Sequence, residues 1–131
     1  MAKSDAQAKV RADIKDNVLY ITISGNIRKQ HVDAIYTDIR FGVADLKPGF
    51  AVITDYSQAK IGHLSGIASF KKVMTYLMES GVGQVIRIIG ENSLILKQIL
   101  RISSAIQGYT PIYVSSIDEA KSKLSEQRKV A

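Results

Sequence analysis

Short β-branched runs alternate with longer stretches whose apolar residues recur at helical spacing, and few folds accommodate that alternation. The runs lie over 18–24, 51–54, 84–89 and 112–114, and the helical stripes over 28–46, 67–81, 92–107 and 117–127. A strand, a helix and another strand in succession require a crossover, which joins parallel neighbours with a right-handed turn. Ahead of this series Val10, Ala12 and Ile14 alternate with Lys9, Arg11 and Asp13, the pattern of a half-exposed edge strand. Lys15-Asp16-Asn17 reads as a turn into the run over 18–24, so the chain opens with an antiparallel hairpin. The expectation is an α/β fold of order ββαβαβαβα, with parallel strands after the hairpin and helices mainly on one face.

The helices carry their own punctuation. Val32, Ile35, Ile39, Val43 and Leu46 form one stripe, which Lys47-Pro48-Gly49 stops. Ile67, Phe70, Met74 and Leu77 mark the second helix, ended by Gly81. In the third, Ile95, Ile99, Ile102 and Ile106 supply the stripe, while Leu96 and Leu100 lie off its flank beside Lys97 and Arg101. Ser116-Ile117-Asp118-Glu119 has the spacing of a capping box for the fourth. The 131 residues suit one domain over 8–127, with a disordered start over 1–7 and a loose end over 128–131.

Composition excludes several functions. With 46% apolar and 23% charged residues the chain is ordinary for a globular protein, and its apolar runs are too short to cross a bilayer. Its polar first residues lack the apolar core of a secretion signal, so a cytoplasmic location is expected. Absence of cysteine removes disulfides, thiol catalysis and thiolate metal sites. The net charge of +6 is scattered along the chain, which argues against specific nucleic-acid binding. His31 and His63 are the only imidazoles, too few for a metal site. The glycines at 62, 66, 81, 83 and 90 form no nucleotide fingerprint, and no acid, base and nucleophile converge. Neither a cofactor nor an enzymatic activity is expected.

Alternation within the strands divides the sheet into two faces. Leu19, Ile21 and Ile23 oppose Tyr20, Thr22 and Ser24; Ile86 and Ile88 oppose Arg87; Ile112 and Val114 oppose Tyr113. This predicts one dry face and one partly polar face presenting Tyr20, Thr22, Arg87 and Tyr113, with Arg87 reaching water. A second copy of the chain, giving a homodimer, or another protein are the candidate occupants of that polar face.

Asp55 interrupts the run over 51–54, and a polar loop then leads to Ser65-Gly66 at a helix start. The segment Asp55-Tyr56-Ser57-Gln58-Ala59-Lys60-Ile61-Gly62-His63-Leu64-Ser65-Gly66 is similar in spacing to the signature of the STAS domain, the family of anti-sigma-factor antagonists. The element order matches that family too, so the resemblance covers nearly the whole domain and implies a STAS-like β-α superhelix. It also implies a non-enzymatic signalling module that binds a protein partner, a kinase or an anti-sigma-like regulator. The family's phosphoacceptor serine falls on Ser65, where a helix N-terminus would face the phosphate. Its motif aspartate and first serine are here His63 and Leu64. The implied interaction edge comprises Asp55, Ser57, His63 and Gly66, with Arg28 and His31 from the neighbouring loop.

An alternative arises from the surplus apolar residues. Met74, Met78, Leu96 and Leu100 are candidates for a groove holding a small apolar molecule, with peripheral membrane contact through the adjacent lysines.

Overall fold

The computed structural model describes residues 7–26, 28–60, 67–89, 101 and 110–130. Strand β1 (Gln7–Asp13) pairs antiparallel with β2 (Val18–Asn26), Asp13 opposite Val18 and Gln7 opposite Ser24. Asn17 closes the turn at φ 59°, a left-handed conformation that asparagine tolerates better than most residues. Ile14 does not join Val10 and Ala12; it sits in the turn, 64% exposed.

Helix α1 (Lys29–Val43) buries Val32, Ile35, Ile39 and Val43, the stripe that its spacing predicts, but ends short of Leu46. There follow β3 (Ala51–Lys60), α2 (Ile67–Glu79), β4 (Val85–Ile88), β5 (Ile112–Val114) and α3 (Ile117–Val130). The expected helix over 92–107, with Leu96 and Leu100, lies outside the described residues apart from Arg101. The strands form a five-stranded sheet of order β1-β2-β3-β4-β5, parallel from β2 onward.

Strand register corrects the expected division of faces. Leu19 pairs with Val52, and Thr54 pairs with Arg87, which pairs with Tyr113. Arg87 and Tyr113 therefore lie on the face of Leu19 and Ile21, whereas Tyr20 aligns with Ile53 and Ile86 on the other. Alternation says which residues of one strand share a side; it does not say how one strand's sides match its neighbour's. Arg87 does not reach water either, being 1% exposed.

Both faces are buried. Helices α1 and α2 cover one, where Ile35, Ile39 and Leu77 pack over Leu19, Ile21 and Val52. Helix α3 covers the other, placing Ala120 and Leu124 against Val18, Ile53, Ile86 and Val114. Each such apolar side chain contributes about 1.5–3 kcal/mol through removal from water. The expected polar open face is thus occupied, chiefly because β3 and β4 are apolar on both sides, as strands covered on both faces must be.

The turns at the amino ends of the parallel strands are tied across the chain. Asn17 Oδ1 accepts from the Lys47 N–H at 2.8 Å, and its Nδ2 donates to the Lys47 carbonyl at 3.2 Å. Arg128 donates to the carbonyls of Asp16 at 2.6 Å and Asn17 at 3.1 Å, on a helix that runs beyond the expected Gln127. Gly49 N–H meets the Gly81 carbonyl and Gly83 N–H the Phe50 carbonyl, each at 2.7 Å.

Candidate interaction rim

Asp55 does not end its strand. Strand β3 continues to Lys60, and Thr22 pairs with Asp55 while Ser24 pairs with Gln58, so β3 carries one extra residue at this point. That insertion is a β-bulge, and it shifts the inward alternation by one, which lets both Tyr56 and Ala59 be buried. Burial of those two residues against the core outweighs the local polarity that suggested a loop. Asp55 Oδ1 accepts from the Ser57 N–H at 2.9 Å and from Ser57 Oγ at 2.6 Å. These charge-assisted bonds fix the bulge and leave Asp55 half-buried.

Beside it, Arg28 is the extended residue that precedes α1, at φ −122° and ψ 169°. Its N–H donates to His31 Nδ1 at 3.0 Å, so the imidazole serves as an acceptor for a backbone donor at the start of the helix. The Arg28 guanidinium is all donor and cannot accept from the helix's N–H groups; the residue is exposed. Since α1 leaves the carboxyl end of β2 and α2 that of β3, Arg28 and His31 share one rim of the sheet with Asp55 and Ser57. His63, Ser65 and Gly66 lie outside the described residues; α2 begins with the next residue, Ile67.

The start of α3 closes the same rim. Ser116 Oγ accepts from the Glu119 N–H at 3.1 Å, as the capping-box spacing predicts. The reciprocal bonds go one residue further back, to the Ser115 N–H at 3.0 Å and Oγ at 2.9 Å. They hold the Glu119 carboxyl below its ordinary range, the Ser115 N–H contributing most.

Of the residues expected to line an apolar groove, Leu96 and Leu100 lie outside the described residues. Met74 is buried and Met78 is 40% exposed. Between α1, α2 and the sheet there is a cavity of about 20 Å³, lined by Ile21, Ile35, Val73 and Met74 with Thr54 and Arg87. It has room for roughly one water molecule. Arg87 donates to the Tyr113 hydroxyl at 3.1 Å and approaches Met74 Sδ at 3.7 Å. This buried polar corner was missed by the sequence reading; an arginine between Ile86 and Ile88 in a strand flanked by crossovers was its only signal. Among the described residues no group of three or more His, Asp or Glu could hold a metal.

No family model and no curated protein matches the chain by sequence. Solved structures do match in shape: the anti-sigma factor antagonist SpoIIAA in its unphosphorylated form aligns with a TM-score of 0.64 at 12% identity, over 92% of this chain and 98% of that one. The fold is that of anti-sigma factor antagonists. The phosphorylated form of SpoIIAA, a Bacillus cell fate determinant, gives 0.62 at 13% identity over 90% and 99% of the two chains. An anti-sigma factor antagonist from Mycobacterium paratuberculosis gives 0.61 at 18% identity over 93% and 96%. The STAS-like architecture thus spans nearly the whole chain, with its hairpin, consecutive parallel strands and helices on the sheet. No helix among the described residues is long and apolar enough to cross a membrane.

Proposed function

We propose that the chain is a non-enzymatic, cytoplasmic signalling module that binds a protein partner through the rim bearing Asp55, Ser57, Arg28 and His31, and that phosphorylation of Ser65 controls the binding. The observation carrying this reading is the Asp55–Ser57 bulge, which stands on the same rim as the start of α1. Its side-chain bonds are local, from Ser57 to the Asp55 carboxylate, within the register shift of β3 against β2. His63, Ser65 and Gly66 immediately precede α2 in sequence. Support for a switch comes from SpoIIAA, which exists in phosphorylated and unphosphorylated forms on a similar fold. A dianionic phosphate at this position would alter the charge that a partner meets and would take backbone donors of the helix start.

The partner is a kinase or an anti-sigma-like regulator. Pull-down with the wild type, Ser65→Ala and Ser65→Asp tests the reading. A common partner should be retained by the wild type and by Ser65→Ala and lost with Ser65→Asp. An identical set of captured proteins for all three would overturn it.

The alternative, a carrier of a small apolar molecule, requires a pocket on the order of 300 Å³ or more. Among the described residues, the cavity under α1 and α2 is about 20 Å³, too small for such a molecule.

A further inference from the structure

The outer seam between α1 and α2, at the margin of the core, carries a cluster of two tyrosines and two cations. Tyr36 and Tyr76 meet edge to face with ring centroids 5.8 Å apart. The Arg40 guanidinium lies 5.7 Å from the centroid of Tyr36 and 6.0 Å from that of Tyr76, and Lys72 Nζ lies 4.7 Å over Tyr36. Tyr36 and Arg40 are one helical turn apart on α1, as Lys72 and Tyr76 are on α2, so each helix supplies one tyrosine and one cation. Both rings are half-buried and both cations exposed.

A guanidinium held near aromatic rings by cation–π attraction still has its N–H donors for a carboxylate. Asp33, the acid one turn before Tyr36, pairs with Lys29 Nζ at 3.0 Å, and neither Arg40 nor Lys72 forms a salt bridge among the described residues. Tyrosine and arginine are also the residue types that dominate binding energy in protein interfaces.

We propose that this seam docks an acidic segment of a partner protein, its carboxylates on Arg40 and Lys72 and an apolar side chain against the tyrosine edges. The site is separate from the Asp55 rim and goes beyond the function proposed above. Single-stranded nucleic acid fits less well, because base stacking needs an open ring face and both cations lie over Tyr36. An anionic membrane fits less well too, because the rings are half-buried and do not protrude into an acyl layer.

Fluorescence anisotropy with a labelled peptide of alternating glutamate and leucine tests the seam, with the glutamine counterpart as control. The wild type should bind the glutamate peptide at least about tenfold tighter than the glutamine one, and the affinity should fall with added salt. Arg40→Glu with Lys72→Glu should weaken binding at least about tenfold while leaving the circular dichroism spectrum and melting temperature in place. Lys9→Glu with Lys129→Glu changes the net charge equally and should retain binding. Equal binding of the two peptides, equal losses in the two double variants, or tighter binding of anionic phospholipid vesicles or a single-stranded oligonucleotide would each overturn the proposal. The titration contains no kinase and no Ser65 variant, so its failure leaves the rim untouched, and failure of the pull-down leaves the seam untouched.

Discussion

The two rims of the sheet are built in opposite ways. At the amino ends of the parallel strands, bonds join parts of the chain far apart in sequence: Asn17 to Lys47, Arg128 to Asp16 and Asn17, and Gly49 to Gly81. At the carboxyl ends, beside one backbone bond from Ile89 to Val114, the side-chain bonds of Asp55 with Ser57, Arg28 with His31 and Ser115 with Glu119 each stay within a single turn. One rim fastens the layers together; the other carries self-contained motifs. A residue on the second can change its chemistry without loosening the first, and that freedom is what a recognition surface requires.

The largest effect expected from this contrast is at Gly83. A Cβ there would stand 2.8 Å from the Gly49 carbonyl oxygen, backbone against backbone, where neither side can rotate away. Gly83→Ala should cost about 2 kcal/mol or more in denaturant unfolding. Next, Asn17→Ala removes both bonds to Lys47 and puts alanine, which tolerates a left-handed φ less well than asparagine, at φ 59°, for about 1–2 kcal/mol. Asp55→Ala, on the opposite rim, should change stability by less than about 1 kcal/mol yet abolish partner capture. Unfolding of Asp55→Ala as severe as that of Gly83→Ala would erase the distinction.

The smallest effect is at Glu119. The Ser115 N–H, then the Ser115 hydroxyl, depress its folded-state pKa, with Lys123 adding to them and desolvation opposing. A depressed value stabilises the fold above the ordinary glutamate range, and that contribution disappears as pH falls through the lowered value. Glu119→Gln should therefore flatten a small part of the acid limb of a stability profile measured by thermal unfolding. An unchanged limb would mean that the Ser115 bonds persist in the unfolded chain or are absent from the folded one.

Where burial follows a local period, the residues announced their places. The α1 stripe, the Asn17 turn, the strand over 112–114 and the hairpin each depend on neighbours in sequence, and each stands where the pattern put it but for Leu46 and Ile14 at the ends. Parallel alignment between distant strands has no such trace, which is why Arg87 and Tyr113 were assigned to the wrong face. The extension of β3 past Asp55 was hidden for the same reason: a bulge is created by the mismatch between two strands and has no periodicity of its own. At the rim, Asp55 with Ser57 and Arg28 with His31 were recognised as members of one edge, but the bulge and the ring-to-backbone bond were not, since both depend on backbone geometry. The tyrosine seam was legible only as two separate turns, Tyr36 with Arg40 and Lys72 with Tyr76, until the packing of α1 on α2 joined them.

The order β1-β2-β3-β4-β5 has a further consequence for synthesis. No strand has to be inserted between two others, so a chain emerging from the ribosome lays each new strand against an edge already built. Growth of the sheet in step with translation keeps only one apolar border unprotected at a time, which limits the interval in which a half-made molecule can pair with another.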